Sequence, residues 1–311
     1  DSYNPFAASK LTEIMKSERP DLIHTNNLAG FSVSIWNSAR RLHIPVVHTI
    51  RDHYLLCPNS TMYKNDKNCL KQCSSCRILA VPRKKQSSVV QAVVGVSRFI
   101  LKKHEKFGYF PKAQIRAQIY NPSDINLTPA SSNSTDGRIQ FGLIGMLAPI
   151  KGTEYFIKRF ASMKTDQAIL KIFGRGITDS YEKMLIERYK SDNIEFMGYR
   201  KPEEIYREID VAVIPSLCDD AFPRVVIEAY SHGMPIIATS MGGASEMIDT
   251  GRTGFIFDPA VQGDLEEKMG KFISDPGLAQ VLSPACLEKA KNFEIDNVVG
   301  QYIDIYTRVT G

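Results

Sequence analysis

Ile139-Gln-Phe-Gly-Leu-Ile-Gly145-Met-Leu-Ala-Pro-Ile-Lys151-Gly152 sets the reading of the whole chain. An apolar run ends in a glycine, a loop follows, and a lysine stands just before a helical pattern. That order predicts a buried strand that delivers backbone N–H groups and one ammonium to a place where an anion can sit. In isolation an ordinary strand–helix turn with a surface lysine reads the same way, so the flanking pattern decides. Downstream, helices are predicted over 153–163, 181–190, 202–209 and 223–232. Strands are predicted over 168–173, 194–197, 211–214, 235–238 and 254–257, and a last helix over 297–309. Strands alternating with helices of this length imply a parallel sheet covered on both faces.

Upstream the same alternation recurs. Strands are predicted over 21–25, 44–50, 92–96 and 118–120, a helix over 31–42, and another from the cap Ser97 to Phe107. Residues 57–86 show no clear period. Residues 128–137 are polar and turn-rich and form the best linker in the chain. Two doubly wound blocks joined by a linker make an α/β fold of two Rossmann-like domains, 1–127 and 138–294.

The bulk numbers fit this plan. The chain has 311 residues, enough for two α/β domains, with 43% hydrophobic and 23% charged residues. No stretch approaches the roughly 20 consecutive apolar residues of a membrane span, and a cytoplasmic protein is expected. The opening Asp1-Ser2-Tyr3-Asn4-Pro5 is neither a signal peptide nor a typical start of a doubly wound domain. The net charge of +5 hides an asymmetry. Residues 1–125 hold 19 Lys+Arg against 8 Asp+Glu, a net +11, and the remainder holds 20 against 26, a net −6. A basic half suits a phospholipid surface, a phosphorylated substrate or nucleic acid, or is simply a solvated lysine-rich face. It lacks interleaved aromatic platforms, which argues against nucleic acid. Arg98, Lys102, Lys103 and Lys106 share a predicted helix with Phe99, Ile100 and Leu101. Such a helix can lie on an anionic leaflet, as a peripheral contact at the inner face of the membrane.

Ligands of open parallel sheets bind beyond the carboxyl ends of the strands, and three strand ends here carry unusual chemistry. The first is Gly145 to Lys151. The second is Phe173-Gly174-Arg175-Gly176, whose glycines allow close backbone approach. The third is Pro215-Ser216-Leu-Cys-Asp219-Asp220-Ala-Phe222-Pro223-Arg224-Val225-Val-Ile-Glu228. Pro223 suits the first helical position, so a helix N-terminus faces the loop with Asp220. Asp220 and Glu228 then flank that N-terminus and can hold a diphosphate between two sets of hydroxyls. Carboxylates suit diols because they only accept hydrogen bonds.

Asp220-x7-Glu228, followed by His232-Gly-Met-Pro-Ile-Ile-Ala-Thr239 and Gly242-Gly243-Ala-Ser-Glu246, resembles the donor signature of the retaining glycosyltransferases of family 4, which have the GT-B fold. Gly145…Lys151-Gly152, Gly174-x-Gly176, Asn193-Ile-Glu-Phe-Met-Gly198 and Gly251-x-Thr-Gly254-Phe resemble the same family in the right order. So do Pro20-Asp-Leu-Ile-His24-Thr-Asn26-Asn27, Asp52-His-Tyr-Leu-Leu-Cys57-Pro58, Val96-Ser97-Arg98-Phe and Asn121-Pro122. The resemblance covers nearly the whole chain, and its joint order is more specific than any one motif.

The resemblance implies two Rossmann-like domains facing across a cleft, with a final helix, 295–311, crossing back to the first. It implies transfer of a sugar from a UDP- or GDP-sugar, with retention of configuration and without a catalytic metal. The acceptor would be a saccharide or a lipid-linked molecule, in polysaccharide or glycolipid assembly. Lys151 would neutralise the departing diphosphate, Asp220 would bind the transferring sugar and Glu228 the ribose. Gly145, Met146, Gly174, Arg175, Gly198, Tyr199, Ser216, Phe222, Pro223, Arg224 and Val225 would surround the donor. His24, Asn26, Arg51 and Ser97 would line the acceptor side. A binding module that keeps donor recognition without turnover is the competing reading.

The chain departs from the family pattern in four places. Asp220 replaces the usual Glu. Met146 replaces the usual Arg after the first glycine, which leaves Arg224 or Arg175 to supply the missing cation, Arg224 first. Arg51 stands where the family often has His, and it cannot act as a base at neutral pH but can bind a phosphate. The usual opening strand and Gly-Gly loop are not matched, so the first domain is expected to be shortened at its N-terminus and to expose an apolar sheet edge.

Cys57, Cys69, Cys73 and Cys76 place four thiols on one loop, while Cys218 and Cys286 stand apart. Soft thiolates in a tetrahedral set favour a structural zinc. The spacing is irregular for common zinc ribbons, and ordinary reduced thiols fit as well, both ahead of disulfides.

Overall fold

The computed structural model describes residues 4–124, 127 and 137–311. Of the stretch read as a linker, 128–137, all but Gly137 lies outside the described residues. The chain divides into two compact units, one made of Asp1–Pro122 with Ile295–Gly311 and the other of Ser123–Glu294.

The first unit contains α1 (Pro5–Glu18), β1 (Ile23–Thr25), α2 (Ser34–Arg41), β2 (Val46–Ile50), the strands β3 (Tyr63–Lys64) and β4 (Lys67–Asn68), α3 (Ser74–Gln86), β5 (Ala92–Gly95), α4 (Arg98–Lys106) and β6 (Ile115–Gln118). β1, β2, β5 and β6 pair in that order, all parallel, and β3–β4 is a small antiparallel hairpin. α1 starts where its cap predicts: Pro5 opens the helix and the Asn4 side chain accepts from the Ala7 N–H at 3.0 Å. α3 occupies part of the stretch without a clear period. Its Pro82 breaks the helical pattern in sequence, and its inward residues are Ala80 and Arg83 rather than an apolar stripe. The last strand lies at 115–118, earlier than the expected 118–120. The helix Ile295–Thr310 belongs to this unit, and packs Val298 and Ile305 against Val47, Ala92, Val94 and Ile119.

α4 corrects one expectation. Ile100 and Leu101 are buried and Phe99 is half-buried, so the fold itself consumes most of the apolar side of this helix. Ile100 and Leu101 are not available to lie on a leaflet.

The second unit runs β7 (Ile139–Ile144), α5 (Thr153–Ser162), β8 (Ala168–Phe173), α6 (Asp179–Tyr189), β9 (Ile194–Gly198), α7 (Pro202–Ile205), β10 (Val211–Ile214), α8 (Arg224–Ser231), β11 (Ile236–Thr239), β12 (Gly254–Phe257), α9 (Asp264–Ser274) and α10 (Leu278–Ala290). Helix Ile295–Thr310 is thus α11. The strands form one parallel sheet in the order β12-β11-β10-β7-β8-β9. Both faces are covered, which is why its strands read as continuous apolar runs. Phe141, Leu143, Phe156, Phe160, Leu170, Ile172, Val211 and Val213 are buried in its core. From β7 the chain builds outward through β8 and β9. It then returns to the other side of β7 as β10, so the strand order reverses between β7 and β10. A crevice opens at such a point in a parallel sheet.

Candidate active site

The crevice is occupied by a pocket of about 240 Å³. Its walls come from the end of β7 and the following loop (Leu143–Leu147, Lys151), the end of β10 (Val213–Ser216), and the start of α8 (Phe222–Val225) with Asp220. Nine of the sequence candidates therefore meet in one place: Gly145, Met146, Lys151, Ser216, Asp220, Phe222, Pro223, Arg224 and Val225.

Main-chain bonds hold these loops together. Leu217 N–H donates to the Ile150 carbonyl at 3.1 Å, which ties the loop of Asp220 to the turn of Lys151. Gly243 N–H donates to the Asp220 carbonyl at 2.7 Å. Gly152 has φ +72, and a Cβ there would stand 1.9 Å from the Pro215 carbonyl oxygen, so only glycine lets β10 come this close to the start of α5. Lys151 Nζ donates to Asp220 Oδ2 at 2.5 Å. Burial alone would depress the Lys151 ammonium, but Asp220 outweighs it and holds the group above its ordinary range. Asp220 Oδ1 accepts from the Phe222 N–H at 3.2 Å, which fixes the carboxylate at the approach to α8.

Pro223 is the extended N-cap of α8 and not its first helical residue. The consequence for the site is the same. The Pro223 side chain makes no capping hydrogen bond, and the first N–H groups and positive dipole end of α8 face the pocket that Phe222–Val225 line. Arg224 is exposed at the pocket wall and Met146 is half exposed opposite.

The other donor candidates lie beyond this wall. Gly174 and Gly198 end the neighbouring strands: Gly145 N–H donates to the Phe173 carbonyl and Gly174 N–H to the Gly198 carbonyl, both at 2.9 Å. Arg175 and Tyr199 are exposed beyond those ends. Glu228 is half-buried one turn into α8, close enough to Tyr206 to raise that phenol further, although burial is the main cause. Tyr206 carried no signal in the sequence. It is fully buried, stacks on His232 at 4.5 Å and packs under α8. Cys218 was read as solitary, yet it lies beside Lys151 and Asp220, and burial pushes its thiol up to about 11.

In the first unit the acceptor-side candidates separate. Arg51 Nε donates to Asn26 Oδ1 at 3.2 Å, and both line a small surface pocket with Asp52 and Tyr54. His24 lies under α11: Nδ1 is 2.6 Å from the Tyr306 hydroxyl and Nε2 is 2.8 Å from Thr49 Oγ1. Burial, aided by Arg51, lowers its imidazole to about 4. Ser97 is fully buried and caps α4 by accepting from the Ile100 N–H at 3.3 Å.

Cys57, Cys69, Cys73 and Cys76 are not gathered into a tetrahedral set. Cys57 and Cys76 Sγ are 3.9 Å apart, but among the described residues no three His, Cys, Asp or Glu side chains form a group able to hold a metal. All four are free thiols. Cys73 is exposed beside Ser75 at 3.3 Å, and burial pushes the Cys76 thiol up to about 12, so that it keeps its proton.

The sequence pattern of the glycosyl transferases group 1 matches residues 124–289, and that of glycosyltransferase family 4 matches residues 1–126. The chain belongs to the glycosyl transferases of group 1. An uncharacterized 42.6 kDa protein in the cps region of Klebsiella pneumoniae is 31% identical over 247 residues, 79% of this chain and 64% of that protein. A D-inositol 3-phosphate glycosyltransferase of Corynebacterium efficiens is 26% identical over 222 residues, 63% of this chain and 51% of that protein. The chain therefore spans between half and two thirds of these two relatives. Among solved structures, Anabaena HepE in complex with UDP superposes with a TM-score of 0.78 at 22% identity, over 97% of this chain and 82% of that one. The fold of this group 1 chain is the two-domain, Rossmann-like GT-B fold.

Proposed function

We propose that this chain transfers a sugar from a nucleoside-diphosphate sugar, with retention of configuration, to a saccharide or lipid-linked acceptor in polysaccharide assembly. The observation that carries the proposal is the meeting of Lys151, Asp220 and the N-terminus of α8 on one pocket at the switch point of the second sheet. In sugar transfer the bond between the sugar's C1 and the terminal phosphate oxygen breaks, the acceptor oxygen bonds to C1 and gives up its proton to the departing phosphate, and negative charge builds on that diphosphate as it leaves. An ammonium and a ring of backbone N–H groups already in place at that charge supply the stabilisation such a step needs most. Asp220 accepts from the hydroxyls of the sugar, and Glu228 from the ribose diol. HepE's UDP supports a uridine donor.

Calorimetric titration with UDP, GDP and ADP, repeated on Glu228→Ala, tests the donor site. Binding of one nucleotide, lost in the variant, is expected. No binding by any nucleotide to folded protein rejects the reading. Binding without release of nucleotide from its sugar conjugates, over a panel of acceptors, favours the competing binding module.

A further inference from the structure

Three of the four thiols that follow β2 stand in reach of one another. Cys73 is the N-cap residue of α3, and Cys76 follows three positions later in Cys73-Ser-Ser-Cys76. The Cys76 N–H and thiol both meet the Cys73 sulfur. On its other side, Cys76 Sγ is 3.9 Å from Cys57 Sγ. A line of sulfur therefore runs from exposed Cys73 through half-buried Cys76 to buried Cys57.

The three differ in chemistry. Hydrogen bonds from the Ser75 hydroxyl, then from the Cys76 N–H and thiol, draw the Cys73 thiol down to about 7, and Lys64 adds to this. From Lys67 to His104 the chain holds nine Lys+Arg and no Asp or Glu, a field that favours a thiolate. Cys73 is thus a nucleophile open to solvent. Cys76 keeps its proton mainly through burial, and in part because Cys73 beside it carries charge. That second cause vanishes once Cys73 is oxidised. Cys57 is held in place from the far side. Gln72 Nε2 donates to the Leu56 carbonyl at 2.7 Å, and the Arg83 guanidinium donates to the Tyr54 carbonyl. The segment that ends at Cys57 is thereby tied to α3 and to the turn before it. Its sulfur has to close from 3.9 Å to about 2 Å to bond with Cys76.

We propose that Cys73, Cys76 and Cys57 form a thiol relay that takes oxidation from a peroxide at the surface and stores it as an inner Cys57–Cys76 disulfide. The Cys73 thiolate attacks one oxygen of hydrogen peroxide. An S–O bond forms, the O–O bond breaks, and the departing hydroxide becomes water with the proton that Cys73 gave up. Cys76 then gives up its proton and bonds to the Cys73 sulfur, and the S–O bond breaks as a second water leaves. Cys57 gives up its proton and attacks the Cys76 sulfur, and Cys73 departs as a thiolate. Cys73 is the better leaving group because its thiol is the more acidic. In sum, one peroxide is reduced to two waters, two thiols become one disulfide, and Cys73 is regenerated. The new bond pins α3 to the segment whose Asp52, Tyr54 and Leu55 line the first unit's small pocket. This inference is independent of the sugar-transfer reading, since thiols are counted without turnover.

The experiment is titration of the reduced full chain with hydrogen peroxide at neutral pH. Free thiols are then counted in denaturant, and linked peptides are mapped after trypsin without reductant. Six thiols are expected to fall to four. Trypsin leaves Cys57 on peptide 52–64, Cys69 on 68–71, and Cys73 with Cys76 on 72–77. Peptide 52–64 is expected to be joined to 72–77, with fragmentation placing the link at Cys76. Cys73→Ser is expected to slow the loss of thiols about tenfold or more, and Cys69→Ser to change it by less than about threefold. In Cys57→Ala the bond is expected to stop at Cys73–Cys76, inside peptide 72–77. Cys76→Ser is expected to leave Cys73 as a sulfenic acid that dimedone captures. Should Cys57→Ala melt early, Cys73→Ser carries the test, because this side chain stands in solvent. Six thiols remaining after excess peroxide, a loss unaltered in Cys73→Ser, a bond that includes Cys69, or a disulfide between two chains overturns the proposal. So does release of about one zinc per chain when the thiols are blocked, which would make these sulfurs metal ligands.

Discussion

Lys151 Nζ and Asp220 Oδ2 are 2.5 Å apart, so the cation and the carboxylate of the second unit's pocket are paired directly with one another. They come from different loops, 69 residues apart in sequence. The Leu217–Ile150 main-chain bond keeps those loops in register. A diphosphate carries more charge than one carboxylate, so the ammonium can serve both. Lys151→Ala is expected to lower kcat for sugar transfer about 10²- to 10³-fold. The half-exposed pair contributes little to folding, so the melting curve is expected to move by less than about 1 kcal/mol. Steady-state nucleotide release and thermal melting on the same preparation check both halves. Unchanged turnover would remove Lys151 from the chemistry.

Arg224 lines the pocket together with Met146, and we propose that it supplies the charge of the arginine that Met146 replaces. It stands in the first turn of α8, whereas Arg175 lies outside the pocket lining. Arg224→Ala is expected to lower kcat/KM about tenfold or more, and Arg175→Ala by less than about threefold. Adding Met146→Arg to Arg224→Ala is expected to restore most of the loss. A double variant no better than Arg224→Ala would show that the two positions do not address the same charge.

The second unit was legible because each of its signals is local. An apolar run ending in Gly145, a proline before α8 and paired carboxylates eight residues apart can all be read from neighbouring residues. The pairing of Lys151 with Asp220 was not legible, since nothing in the sequence fixes the distance between two loops. Tyr206 and Cys218 were missed for the same reason: their relation to α8 and to Lys151 exists only through the packing of the sheet. In the first unit, α3 hides behind Pro82 and an inverted pattern, with Arg83 inward and Ile78 outward. Hydrophobic periodicity assumes the opposite arrangement. The α4 error has the same origin. A basic helix with three apolar residues suits a membrane or a core equally well, and only the buried Ile100 and Leu101 tell which.

Gly174 has φ +141, and a Cβ on it would stand 1.8 Å from the Gly145 carbonyl oxygen. Gly198 has φ +67 and nothing within 4 Å of such a Cβ. Both sit at strand ends of the second sheet, so the pair separates steric need from backbone conformation. Gly174→Ala is expected to destabilise by about 3 kcal/mol or more, because strand ends β7 and β8 must part. Gly198→Ala is expected to cost about 1 kcal/mol, the strain of a left-handed alanine. Denaturant midpoints compare the two directly, and equal costs would reject the close approach as the reason for Gly174.

His24, His48 and His104 all lie in the first unit, and burial is the leading cause that lowers them, to about 4, about 3 and about 3. Each is therefore neutral when folded at a pH where the unfolded chain would already be protonated. The stability they contribute is complete above the ordinary histidine range near 6.5. It drains as pH falls from there toward the folded values, by up to about 1.4 kcal/mol per pH unit for each histidine. The one tryptophan, Trp36, stacks edge-on against His48 at 5.0 Å, so its fluorescence reports this unit. Urea midpoints read from that fluorescence are expected to fall steeply between pH 6.5 and 4.5. His24→Gln, which keeps a partner for Thr49 without a titrating group, is expected to shallow the slope by about one proton. A flat profile over this range would mean that the three imidazoles titrate in the folded unit as they do in the unfolded chain.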